Sequence, residues 1–296
     1  MVVYYLRGGE YMKKLKIFLM ALIVILAIPN ISATHVSAAS KNLVVHYIDI
    51  GQGDAIYIKT PKGDDIIIDA GNKAKGEDVL KYLKKQKVDD IEAMIATHPD
   101  ADHVGGLDEV LAAYRVENIY APKVRHTTKA YTDFLQAVKR EKKGVKTAKN
   151  GVALSLKDKS IKAKFIGPVK DYAKSDLNNW SAVVHIQYNK NSFLFSGDAE
   201  LKSEKDMLSK KLLSKVDVLK VGHHGSKDSS SKDFLSKVKP TYAVISVGKG
   251  NRYKHPTSET LNRLKAVKAK VYRTDKNGTV KITSTGTKIS VSPAKK

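Results

Sequence analysis

The sequence predicts an α/β domain made of two β-sheets with helices on their outer faces. Short apolar runs bounded by Gly and Asp alternate with amphipathic stretches, which is the pattern of buried strands joined by surface helices. The first runs follow one another as in a strand hairpin, and mixed strands and helices come after them. The chain has 296 residues, of which 42% are hydrophobic and 28% charged, so it can bury a sizeable core and wholesale disorder is excluded.

The predicted elements follow from these runs in chain order. Strands are expected at Leu43–Ile50, Ala55–Lys59, Ile66–Ala70, Ile91–Thr97, Val116–Tyr120, Ile161–Ile166, Ser181–Tyr188, Ser192–Ser196, Val216–Val221, Tyr242–Val247, Val271–Thr274, Thr279–Ile282 and Lys288–Val291. Helices are expected at Glu77–Gln86, Leu107–Tyr114, Tyr131–Lys142, Ser203–Leu213, Lys232–Val238 and Ser258–Val267. Since no repeat, low-complexity tract or Pro/Gly/Ser linker interrupts them, we expect a single folded domain.

The first 38 residues predict a secretory signal peptide. A basic stretch beginning at Met12, the more natural start, precedes the twelve-residue apolar run Ile17–Ile28, and Val36-Ser37-Ala38 resembles a cleavage site. Twelve apolar residues fall short of the roughly 20 that a membrane span needs, although an uncleaved anchor is the alternative. We therefore expect residues 1–38 to be removed, residues 39–296 to be the mature hydrolase domain, and the protein to be secreted, with no stable membrane span and with retention at the cell wall as an option.

The charge predicts a polyanionic partner. The chain carries 53 Lys+Arg against 30 Asp+Glu. Residues 1–38 contain four of the basic residues and one of the acidic residues, so residues 39–296 keep 49 basic against 29 acidic residues, a net charge of +20. DNA is one candidate partner, and an acidic wall polymer such as teichoic acid is another. The segment Lys139–Lys149 has six Lys or Arg in eleven residues, which indicates either a solvated surface or a groove that follows a phosphate backbone. The absence of Cys excludes disulfides, Cys-ligated zinc and a thiol nucleophile.

Four potential metal ligands follow one buried strand. His98, Asp100, Asp102 and His103 lie within six residues, after the apolar run Ile91–Thr97 and before a Gly pair that opens a helix. Two imidazoles and two carboxylates at a strand end can hold two divalent ions close together. A cluster of four such polar groups is costly to bury without a ligand, so we favour a metal site over a structural role.

Other predicted strands also end in Asp or His. These residues are Asp69, Asp198, the pair His223-His224 and, after a short loop, His255. A single such residue is more typical of a cap or turn. Several of them beside a four-ligand segment favour one site built at one sheet edge.

These motifs resemble the metallo-β-lactamase superfamily and, within it, the ComEC-type competence DNase domain. That branch has T-H-x-D-x-D-H where this chain has Thr97–His103, so that Asp100 replaces a superfamily His. It also shares the motifs at Asp49–Asp54, Leu219–Ser226 and Asn251–Pro256. The resemblance covers about residues 43–292 and implies a four-layer αββα sandwich with metals at one sheet edge.

The resemblance also implies roles for individual residues. His98 and Asp100 would bind one metal, Asp102 and His103 the other, and Asp198 would lie between them. His223 or His224 would complete a shell, with the choice left open, and His255 would be a ligand or a phosphate contact. The acidic residues Asp69 and Asp54 are expected to support the ligands from behind. The superfamily His before the bridging Asp is absent, and the region is Asn178–Ser181 instead. We expect His185 to be a strand residue, and His46 and His126 to be structural or surface residues.

The oxygen-rich ligand set favours two divalent ions, either Mn²⁺ or Zn²⁺, with Mg²⁺ as a further option. Two such ions can clamp a phosphodiester and activate a water, with Asp102, Asp198 and His255 as the catalytic residues and Lys254 as a further phosphate contact. We therefore predict a secreted nuclease or phosphodiesterase that cuts DNA without sequence preference. The alternatives are a wall phosphodiesterase that acts on teichoic acid or phosphorylcholine groups, and a non-catalytic surface binder.

Overall fold

The computed structural model describes residues 42–295, so the predicted signal peptide lies outside the described residues. The strands are β1 Leu43–Tyr47, β2 Ala55–Lys59, β3 Asp65–Ala70, β4 Ile91–Ile95, β5 Val116–Ala121, β6 Val145–Thr147, β7 Ile161–Phe165, β8 Val184–Tyr188, β9 Asn191–Phe195, β10 Val218–Lys220, β11 Tyr242–Ile245, β12 Lys270–Arg273, β13 Val280–Ser284 and β14 Ile289–Pro293. The α-helices are α1 Gly76–Lys85, α2 Ala101–Val104, α3 Leu107–Ala113, α4 Lys129–Arg140, α5 Leu201–Ser209, α6 Lys232–Val238, α7 Ser258–Ala266 and α8 Thr274–Asn277. Short 3₁₀ turns lie at Lys73–Lys75, Leu177–Trp180 and Gly222–Gly225.

The strands form two mixed sheets. The first sheet has the order β14-β13-β1-β2-β3-β4-β5-β6, and the second has the order β12-β11-β10-β9-β8-β7. Strands β3 to β6 run parallel to one another in the first sheet. Strands β9 to β12 do so in the second. Parallel strands place their carboxyl ends, and the loops that follow them, along one edge of each sheet.

Alternation along the strands divides the core into three apolar layers. In β3, Ile66 and Ile68 belong to the cluster between the sheets, while Ile67 packs with α1, α3 and α4. In β9, Phe193 and Phe195 face the first sheet, while Leu194 packs with α5, α6 and α7. Since successive side chains of a strand point to opposite faces, each sheet buries both faces, one against the other sheet and one against helices. The predicted four-layer αββα sandwich is thereby confirmed.

The structure corrects a few predicted elements. Strand β8 begins at Val184 rather than Ser181, because Ser181 and Ala182 turn toward the other sheet, where the Ala182 amide donates to the Thr97 carbonyl at 2.8 Å. Strand β4 ends at Ile95 rather than Thr97. The short edge strand β6 was not predicted, because all three of its residues are exposed and lack an apolar pattern. No helix within residues 42–295 is long and apolar enough to cross a membrane.

Candidate metal centre

The parallel strands of both sheets bring the predicted ligands to one edge. Asp69 is the next-to-last residue of β3, and the segment from His98 to His103 follows β4. From the second sheet, Asp198 follows β9, and His223 and His224 follow β10. Residues as far apart in the sequence as Asp69 and His224, which are separated by 155 positions, thus come to the same edge, as expected when loops at one sheet edge carry the site.

Two overlapping groups of donor atoms form the centre. One group comprises His98, His103 and Asp198; the other comprises Asp102, His103 and His224; within each group the atoms lie within 4.8 Å of one another. The Nε2 atom of His103 lies 3.3 Å from Asp198 Oδ2, and the same oxygen lies 3.3 Å from His224 Nε2. Asp198 therefore lies between the two groups, and the bridging role that the resemblance implies for it stays a prediction.

The orientation of His103 is fixed from behind by Asp69. The His103 Nδ1–H donates to Asp69 Oδ2 at 2.7 Å. The same carboxylate accepts the Thr97 amide at 2.8 Å and the Thr97 hydroxyl at 2.6 Å. A carboxylate can only accept, so Nδ1 carries a proton toward Asp69 and Nε2 is the ring nitrogen that faces the centre. Asp69 holds a left-handed backbone (φ 57°), which a non-glycine residue adopts at a cost and which is typical of functional sites.

The two adjacent histidines have different surroundings. His224 is buried, its Nδ1–H donates to the Ser246 carbonyl at 2.9 Å, and its Nε2 lies 3.4 Å from Asp102 Oδ2. His223 is partly exposed, its Nδ1 donates to Glu200 at 2.8 Å, and its Nε2 lies 3.8 Å from Asp198 Oδ2. The geometry favours His224 as the ligand and places His223 at the rim.

The remaining predicted site residues line the opening or lie beneath it. Asp100 lies with Oδ2 3.4 Å from His98 Nε2. The ring centroid of His255 lies 5.3 Å from that of His223, and its Nδ1 has no hydrogen-bond partner. Asp54 lies beneath the opening, and its Oδ1 is 3.6 Å from His224 Nδ1. The loop before Asp54 passes close to α2, where a side chain at Gly53 would collide with the backbone oxygen of Asp102.

A buried lysine that the sequence analysis missed lies under the centre. Lys220 is fully buried, pairs with Asp54, donates to the Gly197 carbonyl at 2.9 Å and lies 3.5 Å from Asp198 Oδ1. Burial alone would lower the pKa of Lys220, but the carboxylates of Asp54 and Asp198 outweigh it and raise that pKa. Lys220 is therefore a fixed ammonium group inside an acidic site.

The chemistry of the donors fits divalent metal ions. The Nε2 atoms of His98, His103 and His224 are buried and have no hydrogen-bond partner, and neither has Asp198 Oδ1. Unsatisfied polar atoms of this kind are rare in folded proteins, and a converging group of them fits a metal-binding site. Imidazole nitrogen with carboxylate oxygen suits Zn²⁺ and Mn²⁺. The individual ligand roles remain predictions.

The electrostatics also indicate a site built for positive charge. Burial lowers the pKa of His103, yet the carboxylates of Asp198 and Asp69 raise it well above its ordinary value. Burial raises the pKa of Asp198, yet the neighbouring His224 and His103 hold it well below its ordinary value. The positive groups around Asp198 thus favour the charged form of its carboxylate.

The histidines that we expected to be structural lie away from the centre. His46 is buried in β1 against Tyr57 and contacts the Tyr82 hydroxyl at 2.8 Å. His185 lies in β8, as predicted, and His126 contacts the Thr128 hydroxyl in the loop before α4. Among residues that the sequence analysis missed, Glu200 comes two positions after Asp198, a proximity that could have drawn attention to it.

Comparisons with known proteins agree with this geometry. The sequence profile of the metallo-beta-lactamase superfamily matches residues 48–249. ComE operon protein 3 of Bacillus subtilis is 33% identical over 253 residues, which cover 80% of this chain and 32% of that protein. Recombination protein 2 of Haemophilus influenzae is 33% identical over 244 residues, which cover 80% of this chain and 28% of that protein. The chain thus spans about a third of the length of these curated relatives.

A solved structure from Parabacteroides distasonis, assigned as a metal-dependent hydrolase, superposes with a TM-score of 0.50. It covers 79% of this chain and 93% of the other at 13% identity, which shows a common fold. Together with the profile match over residues 48–249, the fold and the clustered His and Asp residues lead to one conclusion. The chain belongs to the metallo-beta-lactamase superfamily of hydrolases and, by its similarity to competence proteins, to the ComEC-type branch.

Proposed function

We propose that this protein is an exported, metal-dependent phosphodiesterase that cleaves DNA without sequence preference. The observation that carries the proposal is a basic groove that adjoins the cluster of unpartnered His and Asp donors. The names of the curated relatives, which include a recombination protein and a competence protein, point to the same substrate class.

Divalent cations suit the acidic donor set of the centre. Five carboxylates lie at the centre or support it, against the single buried ammonium of Lys220. These carboxylates belong to Asp54, Asp69, Asp100, Asp102 and Asp198. We propose that His98, Asp100 and Asp198 hold one ion, and that Asp102, His103 and His224 hold the other, with Asp198 shared. When bound, two such ions polarise a phosphodiester and supply a water of lowered pKa.

The residues at the opening would act on the substrate directly. Burial, and then the charges of His223 and His224, lower the pKa of His255 to about 4, so His255 is neutral at pH 7. Its unpartnered Nδ1 can then accept a hydrogen bond or hold a proton near the leaving oxygen. The pKa of His223 is raised, because Asp198 and Glu200 outweigh the effect of burial. The raised pKa favours the charged form of His223, which can contact a phosphate oxygen from the rim.

The basic groove runs beside the carboxyl ends of β5 and β6. Two adjoining cavities of about 470 and 590 Å³ share Lys123, Thr147, Asp171 and Trp180 as lining residues. Further basic residues line one or the other cavity: Arg125, Lys149, Lys170 and Lys174. Five cations against one lining carboxylate suit a phosphate backbone.

The groove is joined to the metal centre through one turn of chain. Trp180, which lines both cavities, ends the 3₁₀ turn Leu177–Trp180. The next residue, Ser181, accepts a hydrogen bond from the Asp198 amide at 2.9 Å. Within the same turn, Asn178 Nδ2 lies 3.4 Å from His223 Nδ1. Residues of the groove and residues that contact the centre are therefore direct neighbours in the chain.

The basic segment Lys139–Lys149 has only part of its length on this groove. Lys149 lines the smaller cavity, whereas Lys142 and Lys143 are exposed in the turn before β6. Replacing Lys123 and Lys149 with Ser should therefore weaken DNA binding and flatten the dependence of log K on log salt by about 0.9 per lost phosphate contact. Replacing Lys142 and Lys143 serves as the charge-matched control and should change the slope less.

The test of the activity is direct. The purified protein is incubated with plasmid DNA, single-stranded DNA and bis-p-nitrophenyl phosphate, with Mn²⁺, Mg²⁺ or Zn²⁺ added in turn. We expect metal-dependent cleavage that Asp102→Ala and His103→Ala abolish and that His126→Ala retains. Cleavage by the first two variants at the wild-type rate would show that the site is wrongly assigned. Purified teichoic acid is assayed in parallel, and its cleavage in preference to DNA would favour the wall phosphodiesterase.

A further inference from the structure

An aromatic side chain is exposed beside the metal centre. Tyr253 is 50% exposed, and within residues 42–295 the other large hydrophobic side chains with comparable exposure are Val145 and Leu201. The Tyr253 ring stacks on His255 with the centroids 5.8 Å apart and 25° between the planes. The Arg252 guanidinium carbon lies 4.9 Å from the Tyr253 centroid, and its Nη2 donates to the Tyr253 hydroxyl at 2.7 Å. Tyr253 is therefore an exposed aromatic ring that is flanked by an imidazole and by one positive charge.

Tyr253 forms part of a second groove, away from the basic one. A cavity of about 440 Å³ is lined by Asn251, Arg252 and Tyr253 on one side and by Gln52, Asn72, Ala101 and Asp102 on the other. Asp102 is a predicted metal ligand, so the groove opens directly onto the centre. A group that stacks on Tyr253 would lie next to a phosphodiester held there.

The loop that carries Tyr253 is held in place by its own hydrogen bonds. The Asn251 side-chain amide donates to the carbonyls of Gly248 at 3.0 Å and His255 at 2.6 Å, and its oxygen accepts the His255 amide at 3.0 Å. The Gly248 amide donates to Gln52 Oε1 at 3.2 Å, which ties the loop to the first sheet's edge. The position of Tyr253 is therefore set before a ligand binds, which lowers the entropic cost of stacking.

We propose that Tyr253, with Arg252, is a stacking platform for a nucleobase adjacent to the phosphodiester that is cut. The proposal rests on the proposed function and specifies its substrate. A base inside a duplex is stacked on both faces and cannot present one to Tyr253, so the substrate is single-stranded or locally unpaired DNA. Teichoic acid has no aromatic ring, so the platform distinguishes the two candidate polymers.

The experiment compares bases with abasic sites in an otherwise identical strand. In separate reactions, the full chain and Mn²⁺ are incubated with a single-stranded oligonucleotide and with a strand of the same length built from tetrahydrofuran abasic residues. Tyr253→Ala and Tyr253→Leu are expected to lower kcat/KM on the base-carrying strand by about 5- to 150-fold, the range for loss of one base–aromatic stack. Tyr253→Phe keeps the ring and is expected to recover most of the loss. On the abasic strand, all of these proteins should cleave at one common, reduced rate.

Binding of the same fluorescent oligonucleotides to the metal-free protein gives a readout that does not depend on catalysis. The affinities of the variants for the base-carrying oligonucleotide should follow the same order as their cleavage rates. Leu201→Ala, which removes a side chain of similar exposure (47%), should bind this oligonucleotide like the wild type. If Tyr253→Ala binds and cleaves the base-carrying strand like the wild type, or if Leu replaces Tyr as well as Phe does, the platform is refuted while the nuclease stands. If the wild type cleaves neither strand, the proposed nuclease fails, and the binding series alone decides whether Tyr253 stacks on a base.

Discussion

Replacing Asp69 with Asn tests how the protein prepares His103 for metal binding. The Thr97 amide, 2.8 Å from Asp69 Oδ1, must face an acceptor, so the new side chain must keep its carbonyl there. The new NH₂ group then takes the place of Oδ2, which accepts from His103 Nδ1 at 2.7 Å in the wild type. A donor at that position forces Nδ1 to accept. The imidazole proton moves to Nε2, the atom that faces Asp198.

The expected loss of metal affinity in Asp69→Asn follows from the change of the His103 tautomer. A protonated Nε2 cannot bind a metal until the proton moves back to Nδ1, where it meets the amide NH₂ instead of a carboxylate. Loss of a group that orients a metal-binding His costs about 10- to 100-fold in metal affinity, or about 1.4–2.7 kcal/mol. The fold should also lose stability, because Asp69 is fully buried and its charge-assisted hydrogen bonds contribute about 1.5–3 kcal/mol each.

Asp65→Asn is the matched control, because Asp65 is equally buried at the other end of the same strand. It accepts hydrogen bonds from the Tyr57 hydroxyl and from Lys59, outside the metal centre. Titration with Mn²⁺ and Zn²⁺, followed by calorimetry, should show weaker binding for Asp69→Asn and wild-type binding for Asp65→Asn, while chemical denaturation shows both to be destabilised. If folded Asp69→Asn binds metal within twofold of the wild type, Asp69 does not set the His103 tautomer.

The other predictions concern the core, the buried ammonium and export. Burial and then the charge of Lys281 lower the pKa of His46 to about 4, so between that value and 6.5 the unfolded chain binds more protons than the folded one. The wild type should therefore lose about 2 kcal/mol more stability than His46→Gln when denatured at pH 5 instead of pH 7, and equal losses would contradict that pKa. Lys220→Met leaves buried carboxylates without a counter-charge, so the free energy of unfolding of the metal-free protein should fall by about 3–5 kcal/mol. Mn²⁺ should then raise the Tm of the variant by more than it raises the Tm of the wild type. If the chain is exported, mass spectrometry of the culture medium should find a protein that starts near Ala39, and only intact cytoplasmic protein would argue against export.

The fold was predictable because its strands carry a strong local signal. The run Ile66–Ile68 is buried on both faces, so it is continuously apolar, and the polar Asp69 that follows it lies near the end of the strand. The edge strand Val145–Thr147 lacks that signal, because it is exposed and is held by pairing with β5. A strand of this kind is specified by its neighbour in the sheet rather than by its own composition.

The buried charge of Lys220 could not be predicted from its neighbourhood in the sequence. Its strand reads Val218-Leu219-Lys220, and a lysine there is equally consistent with an exposed strand end. Its partners, Asp54 and Asp198, come from different sheets, so only the packed structure shows that the ammonium is enclosed. A fully buried lysine is tolerable only with such partners, so its presence follows from the acidic site above it.

The choice between His223 and His224 was undecidable for a related reason. Both residues adopt left-handed backbone angles, with φ of 42° and 50°, so the usual alternation of side-chain directions along a strand does not apply to them. What separates them is the acceptor for each Nδ1–H: the Ser246 carbonyl, 22 residues from His224, and Glu200, 23 residues from His223. The first acceptor lies below the centre and turns His224 Nε2 inward, whereas the second lies at the rim and keeps His223 there. Which of two adjacent histidines turns its Nε2 toward the candidate metal centre is therefore decided by hydrogen-bond partners on other elements, and not by the motif that contains them.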